Sequence, residues 1–296
     1  MMQDQLSPGC SEVVCAETGE ADPSAQAGAC HRGPVNRTSG SPGPVAPTCY
    51  PRCVSSERAN AEAAARNNAA FCDVMCAAHG CAGAFSESIW STRGQAPPYY
   101  PNAVTLGGPE RNVEQLAHIR ALCHDGPPRP WAVKDSHAAL RLEHLGFAAM
   151  FTATWIWRAP AAAGDPTPLA GWDPVRDETG LAAWERAWRG TSTVGPERLF
   201  LPALLGRDDL CILAAWRERE IVAGAIACRA AGVVGITNLF VAVGDAEAHW
   251  AACASAVQAA FSGLPLVGYE RGAALALAGR AGFEALSDLV VWRHDP

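Results

Sequence analysis

Apolar and polar positions alternate between two rhythms along this chain, and the change of rhythm divides it. No apolar period of 2 or 3.6 residues runs through residues 1–56. A helical spacing begins at Glu57 and continues to about His79 within SSERANAEAAARNNAAFCDVMCAAHG, with Ser55 or Ser56 as its cap. NAVTL then predicts a short strand, ERNVEQLAHIRALCH a helix opened by Pro109, PWAVKD a strand, SHAALRLEHL a helix and AAMFTATWIW a long strand. After APAAAGDPTPLA, a linker by composition over 159–170, the order resumes. GWDPVRD is a strand, and a helix starting at Asp177 or Thr179 carries Leu181, Trp184 and Trp188 on one face. ERLFLPALLG predicts a short helix. CILAAWRERE, IVAGAIACRAAG and VVGITNLFV are strands, and DAEAHWAACASAVQAAF is a helix with Asp245 at its start. LPLVGYE, GAALALAGRA and FEALSDLVVW close the chain as strand, helix and strand. Interleaved strands and helices of this kind make an α/β fold with mixed sheets flanked by helices.

Two stretches of this pattern match. Moving Pro130 onto Pro265, a shift of 135, places Asp135 on Glu270 and Ala138, Ala139 and Leu140 on Ala273, Ala274 and Leu275; one gap then brings Gly146–Phe147 onto Gly282–Phe283. They read as two copies of one supersecondary unit, or as a chance likeness of alanine-rich α/β segments.

The order of elements over residues 171–293, with the ending AGFEALSDLVVW, resembles the GNAT superfamily of N-acetyltransferases. The resemblance, with the internal match, implies a tandem GNAT-like fold with a degenerate GNAT-like half over 57–158, a linker over 159–170 and an acetyltransferase domain over 171–296, behind an extension over 1–56 whose Gly, Pro, Ser and Thr content predicts disorder. It further implies acetyl-CoA as co-substrate and a small-molecule or peptide amine as acceptor. In that family the central strand and the following strand–helix junction hold the cofactor. Here these are Leu239, Phe240 and Val241, then Gly244, Asp245 and Ala246. The chain departs from the family at two places. The usual Arg/Gln-x-x-Gly-x-Gly/Ala junction is replaced by AVGDAEAHW, which sets Asp245 and Glu247 where pyrophosphate would bind. The usual tyrosine of the last helix is Ala278, and Leu142 in the first half.

At the end of the strand LPLVGYE stand Tyr269 and Glu270, where α/β sheets place ligands. Glu270 is the candidate base and Tyr269 the candidate proton donor. The alternative for Glu270 is a structural pairing with Arg271 or Arg280. Asn238 is a candidate substrate contact, or it satisfies the backbone. Tyr99 and Tyr100, in a proline-rich loop, line a candidate cleft between the halves or simply pack. The missing junction and tyrosine keep a second function open: a non-catalytic GNAT-like protein that binds a small molecule or a partner.

Composition narrows the rest. The net charge is −7 and Lys134 is the only lysine, so no basic stripe points to nucleic acid. No secretory signal or long apolar run is present, which predicts a cytoplasmic protein without a membrane span and with reduced thiols. Of twelve cysteines, Cys72, Cys76 and Cys81 group tightly around His79. Zinc ligation and plain hydrophobic packing both fit such a group, and the lack of paired Cys-x-x-Cys knuckles favours packing, hence no metal. His118, His124, His137, His144 and His249 show no metal or nucleophile spacing. Asn36-Arg37-Thr38 matches a glycosylation pattern by chance, and Val54, just before the first helical stretch, is a candidate translation start.

Overall fold

The computed structural model describes residues 51–125, 130–160, 171–191 and 197–295. Asn36 and most of the expected extension and linker lie outside them. The elements are α1 (Pro51–Ala78), β1 (Ala84–Phe85), β2 (Ile89–Ser91), β3 (Ala103–Thr105), α2 (Asn112–Asp125), β4 (Trp131–Asp135), β5 (Ala148–Arg158), β6 (Trp172–Pro174), α3 (Glu178–Arg189), β7 (Leu210–Arg217), β8 (Glu220–Ala230), β9 (Val233–Val241), α4 (Ala246–Ala260), β10 (Leu266–Glu270), α5 (Gly272–Arg280) and β11 (Glu284–His294). All strands join one mixed sheet in the order β1-β2-β3-β4-β11-β5-β10-β9-β8-β7-β6.

Helices cover both faces. α1 and α3 pack on one through Phe71, Met75, Leu181, Trp184 and Trp188. The middle of α1 lies over the sheet centre, where Ala61, Ala64 and Ala65 meet Ala153, Trp155, Val267 and Leu289. The small alanine side chains let the helix backbone approach the strands closely. The opposite face carries α2, over Ala103, Val133 and Trp292, and α4 with α5, over Ile156, Val234, Ile236 and Leu266.

The sheet order has an unexpected feature. β5 does not lie beside β4; it pairs with β10, while β11 pairs with β4. The register of these two outer pairings is the same. Trp131↔His294 through Asp135↔Val290 becomes Leu266↔Arg158 through Glu270↔Thr154 when one strand is moved by 135 residues and the other by 136. β5 and β11 pair with each other around Ala153↔Leu289, and the pairs on either side exchange under the same shift: Glu284↔Trp157 with Arg293↔Ala148, and Ala285↔Ile156 with Trp292↔Ala149.

Three expectations need correction. SHAALRLEHL is not an α-helix; only Glu143–Leu145 forms a short 3₁₀ turn. Asp135 takes the amides that a helix would use, its oxygens accepting from His137 N at 3.3 Å and Leu140 N at 2.8 Å. Leu140 and Leu142 turn into the core. ERLFLPALLG is an irregular, bent segment apart from a 3₁₀ turn at Pro202–Leu204, because Leu199 N is bound to Glu185 Oε1 and Leu199 and Phe200 are both buried. α1 begins at Pro51, so Ser55 and Ser56 lie inside the helix instead of capping it, and proline suits its first turn. β1 and β2 have no sequence signal, being two and three residues long.

Candidate functional site

The site grows from a break in the sheet. β9 and β10 run parallel and pair at Leu266↔Val234 and Val267↔Gly235, beyond which no further pairs form. β9 is also interrupted on its other side. Its ladder with β8 steps from Ile226↔Thr237 to Gly224↔Phe240, and the extra residue is Asn238, at φ 52°. Asparagine tolerates this left-handed conformation better than most residues. The bulge reverses the alternation of the strand, so Leu239 and Val241 join Val234 and Ile236 against α4.

On the α1 side the opening is roofed. Asn67, Asn68, Phe71, Trp155, Thr237 and Tyr269 line a cavity of about 10 Å³, room for roughly one water molecule. Asn67 fixes the roof, its Nδ2 donating to the carbonyls of Cys228, Ala230 and Val233 at 2.8–3.3 Å. Gly235 is required below it, since a Cβ there would overlap Asn67 Oδ1. Lys134 reaches in from β4. It is buried, its Nζ donates to Asn68 Oδ1 at 2.7 Å, and it lies 4.3 Å from the centre of the Tyr269 ring. Trp155 meets the same ring edge-on at 5.6 Å.

The structure gathers some of the predicted residues and separates others. Tyr269 packs on the α1 side with Trp155; Glu270, the next residue of the strand, points to the opposite face. Arg280, one candidate partner of Glu270, instead bonds Glu247 Oε2 at 2.6 Å. The other, Arg271, lies over the Phe151 ring at 4.9 Å. Asn238 Nδ2 donates to Tyr100 Oη at 3.4 Å, joining loop and bulge, and burial pushes the Tyr100 phenol well up from its ordinary range. Tyr99 is apart from them, more than a third exposed and edge-on to Trp188 at 5.7 Å. Of the candidate cofactor contacts, Leu239 is buried under α4, Val241 packs beside it, and the Phe240 ring packs on Trp184 at 5.2 Å, so these residues have mainly their backbone to offer.

The start of α4 is filled by the chain's own groups. Asp245 caps it, Oδ1 accepting from Glu247 N at 3.0 Å. Gly244, at φ 111°, sits against His249, whose Nε2 would be 3.0 Å from an added Cβ. Burial holds the His249 imidazole below its ordinary value. Ala278, where the resemblance leads one to expect a tyrosine, is buried in α5, and Leu142 is equally buried.

Cysteine chemistry is quiet here. Cys72 and Cys76 pack around Trp90, and burial raises both thiols. Cys81 Sγ donates to Cys76 O, and His79 Nε2 bonds Leu199 O at 2.9 Å. Among the described residues no group of three or more His, Cys, Asp and Glu is placed to hold a metal ion, and no helix is long and apolar enough to cross a membrane.

Sequence reasoning passed over Asn67, Asn68, Thr237 and Lys134. Only Lys134 carried a signal, as the single lysine of the chain.

Among solved structures, a GCN5-related N-acetyltransferase from Kribbella flavida is 16% identical, the match covering 79% of this chain and 95% of that one at a TM-score of 0.51. An acetyltransferase of the GNAT family from Novosphingobium aromaticivorans is 13% identical over 72% of this chain and 91% of that one, at 0.47. A GCN5-related N-acetyltransferase from Sphaerobacter thermophilus is 14% identical over 79% and 92%, at 0.42. No protein-family model matches the chain, and no curated protein matches it. At these identities the likeness is one of fold: a GNAT acetyltransferase-like α/β fold with a mixed central sheet flanked by helices.

Proposed function

We propose that this chain is an acyl-CoA-dependent N-acyltransferase that moves an acetyl group onto an amine of a small molecule or peptide. The observation that carries the reading is the opening between β9 and β10, with the Asn238 bulge on one strand and Tyr269–Glu270 at the end of the other. The fold likeness to a GCN5-related N-acetyltransferase supports the reading by analogy alone. We also read residues 57–158 and 171–296 as two copies of one unit that have exchanged their last strands, β5 and β11. The shared register of the outer pairings supports this.

A bound acetyl thioester supplies an activated acyl carbon. Backbone groups of the bulged strand, left out of the ladder, orient the acyl carbonyl. Glu270 takes a proton from the attacking amine, and Tyr269, on the opposite face of β10, gives one to the departing thiolate. The new C–N bond and the broken C–S bond leave an amide and a free thiol. Asn238 and Tyr100 border the acceptor side. The thioester arm of the donor would enter where β9 and β10 part, since the cavity under α1 has room for only about one water. The start of α4, occupied by Asp245, Glu247 and His249, does not suit its diphosphate.

That misfit favours a second reading, a non-catalytic GNAT-like protein that binds a small molecule or a partner. Titration of acetyl-CoA into the full chain, followed by heat and melting temperature, separates the two. A Kd near or below about 100 μM, at least roughly 5.5 kcal/mol, is expected of the enzyme. No heat and no melting shift up to millimolar acetyl-CoA would leave the second reading.

A further inference from the structure

We infer that Ser91 and His118 form a nucleophile–base pair that hydrolyses small activated esters, at a second site that does not depend on the acyltransferase reading. Ser91 Oγ and His118 Nε2 are 2.8 Å apart although 27 residues separate them in the chain. Alternation along β2 turns Ile89 and Ser91 towards α2, while Trp90 packs towards α1. On α2, His118 shares a face with Gln115 and Leu122, both buried. Directly opposite Ser91 stand Ala84 on β1 and Ala103 on β3. Opposed residues lie on one face, so the hydroxyl is flanked by methyl groups, and Ala84 is exposed at the edge of the sheet, which leaves the pair open to approach. β3, β4, β11 and β5 lie between β2 and β10, about 24 Å across the sheet.

Burial and the Arg93 charge hold the His118 imidazole below its ordinary value and outweigh the Glu114 carboxylate one turn back on α2. The ring is therefore uncharged at neutral pH, and with its proton on Nδ1 it accepts the Ser91 hydroxyl at Nε2. A hydroxyl bonded to an uncharged imidazole is an activated nucleophile. Ser91 Oγ attacks the acyl carbon, its proton passes to His118 Nε2 and on to the departing alkoxide, and the bond to the alcohol breaks as the acyl-serine forms. Water then attacks the acyl-serine, gives its proton to His118 Nε2, and that proton returns to Ser91 Oγ, so ester and water become acid and alcohol. Arg93, exposed two residues after Ser91, brings positive charge to the side where the acyl oxygen becomes negative.

The test treats the full chain with an alkyl fluorophosphonate, whose phosphorus bonds to an activated serine oxygen as fluoride and the hydroxyl proton leave. Mass spectrometry locates the label. It should fall on Ser91 in the folded chain and be lost in urea. Its rate should rise with pH, with a midpoint below 6.5, because only the uncharged imidazole accepts the proton. His118→Gln should slow labelling by about 100-fold or more. Hydrolysis of p-nitrophenyl acetate should follow the same pH profile and disappear in Ser91→Ala. No label on Ser91 of the folded chain would overturn the inference, as would labelling that persists equally in urea or in His118→Gln. So would hydrolysis unchanged in a Ser91→Ala variant that melts like the parent. The label is read on the unaltered chain, so a variant that fails to fold leaves the decision intact.

Discussion

The Lys134 ammonium lies 4.3 Å from the centre of the Tyr269 ring. The two residues hold the same place in the two outer pairings of the sheet, Lys134 opposite Val291 and Tyr269 opposite Trp155. The residues related by the 135-residue shift therefore meet beneath α1, where a desolvated cation over an aromatic face is worth about 2 kcal/mol. Lys134→Ala should lower stability by about 2–4 kcal/mol, since it empties packed volume and removes the donor at Asn68 Oδ1. Lys134→Met, which keeps the stem, should cost clearly less. Urea unfolding measures both, and a methionine variant as unstable as the alanine one would deny the ammonium stem its packing role.

Gly235 and Asn67 form a coupled pair. Gly235→Ala should destabilise by about 2 kcal/mol or more, because the new methyl overlaps a side chain held by three carbonyls. In Asn67→Ala the same glycine substitution should be much cheaper. A double-mutant cycle reads the coupling, expected at about 1–3 kcal/mol. Simple additivity would contradict the contact.

Asn238→Val should cost about 1–2 kcal/mol, since a β-branched residue resists φ 52°, while Asn238→Gly, which keeps the turn and loses only the long bond to Tyr100 Oη, should cost clearly less. Deleting Asn238 has a different consequence. It restores simple alternation and turns Leu239 and Val241 away from α4, so the variant should fail to fold cooperatively. Thermal melts of the three variants check the order.

Glu185 in α3 is buried and bound by Arg189, Arg198 and Leu199 N. Burial alone would raise its carboxyl, but the Leu199 amide and the Arg198 and Arg189 guanidinium groups outweigh it and hold it below the ordinary glutamate value. With the folded value depressed, its contribution to stability is present above the unfolded value of about 4.5 and is lost as pH falls through the folded one. The melting temperature should therefore drop below about pH 4.5, and Glu185→Gln should flatten that part of the profile. An equally steep acid limb in the variant would assign it to other groups.

Tyr269→Phe tests the site. With a thioester and an accepted amine, it should lower kcat by about 10–100-fold with little change in KM, as loss of a proton donor does. Retained kcat with raised KM would make the hydroxyl a binding group.

Local pattern alone determined a good deal. The strands from AAMFTATWIW to FEALSDLVVW and the helices α1 to α5 follow from periodicity, Asp177 is the one of the two starts offered that caps its helix, Asp245 caps the helix it was expected to stand near the start of, and the 135-residue match was present in the letters. Tertiary structure decided where those letters went. SHAALRLEHL has helical spacing, yet Asp135 and the buried Leu140 and Leu142 hold it in turns, while the similar GAALALAGRA forms α5. That β5 leaves β4 for β10 depends on pairing partners over a hundred residues away, which no local window contains. The same holds for the site. Tyr269 and Glu270 are neighbours in sequence but a pleat sends them to opposite faces, and Asn67, Asn68 and Lys134 reach Tyr269 only because α1 crosses the middle of the sheet. Side-chain chemistry and period are local properties and can be read from the chain; strand order and the convergence of distant side chains arise from packing, and only the folded molecule settles them.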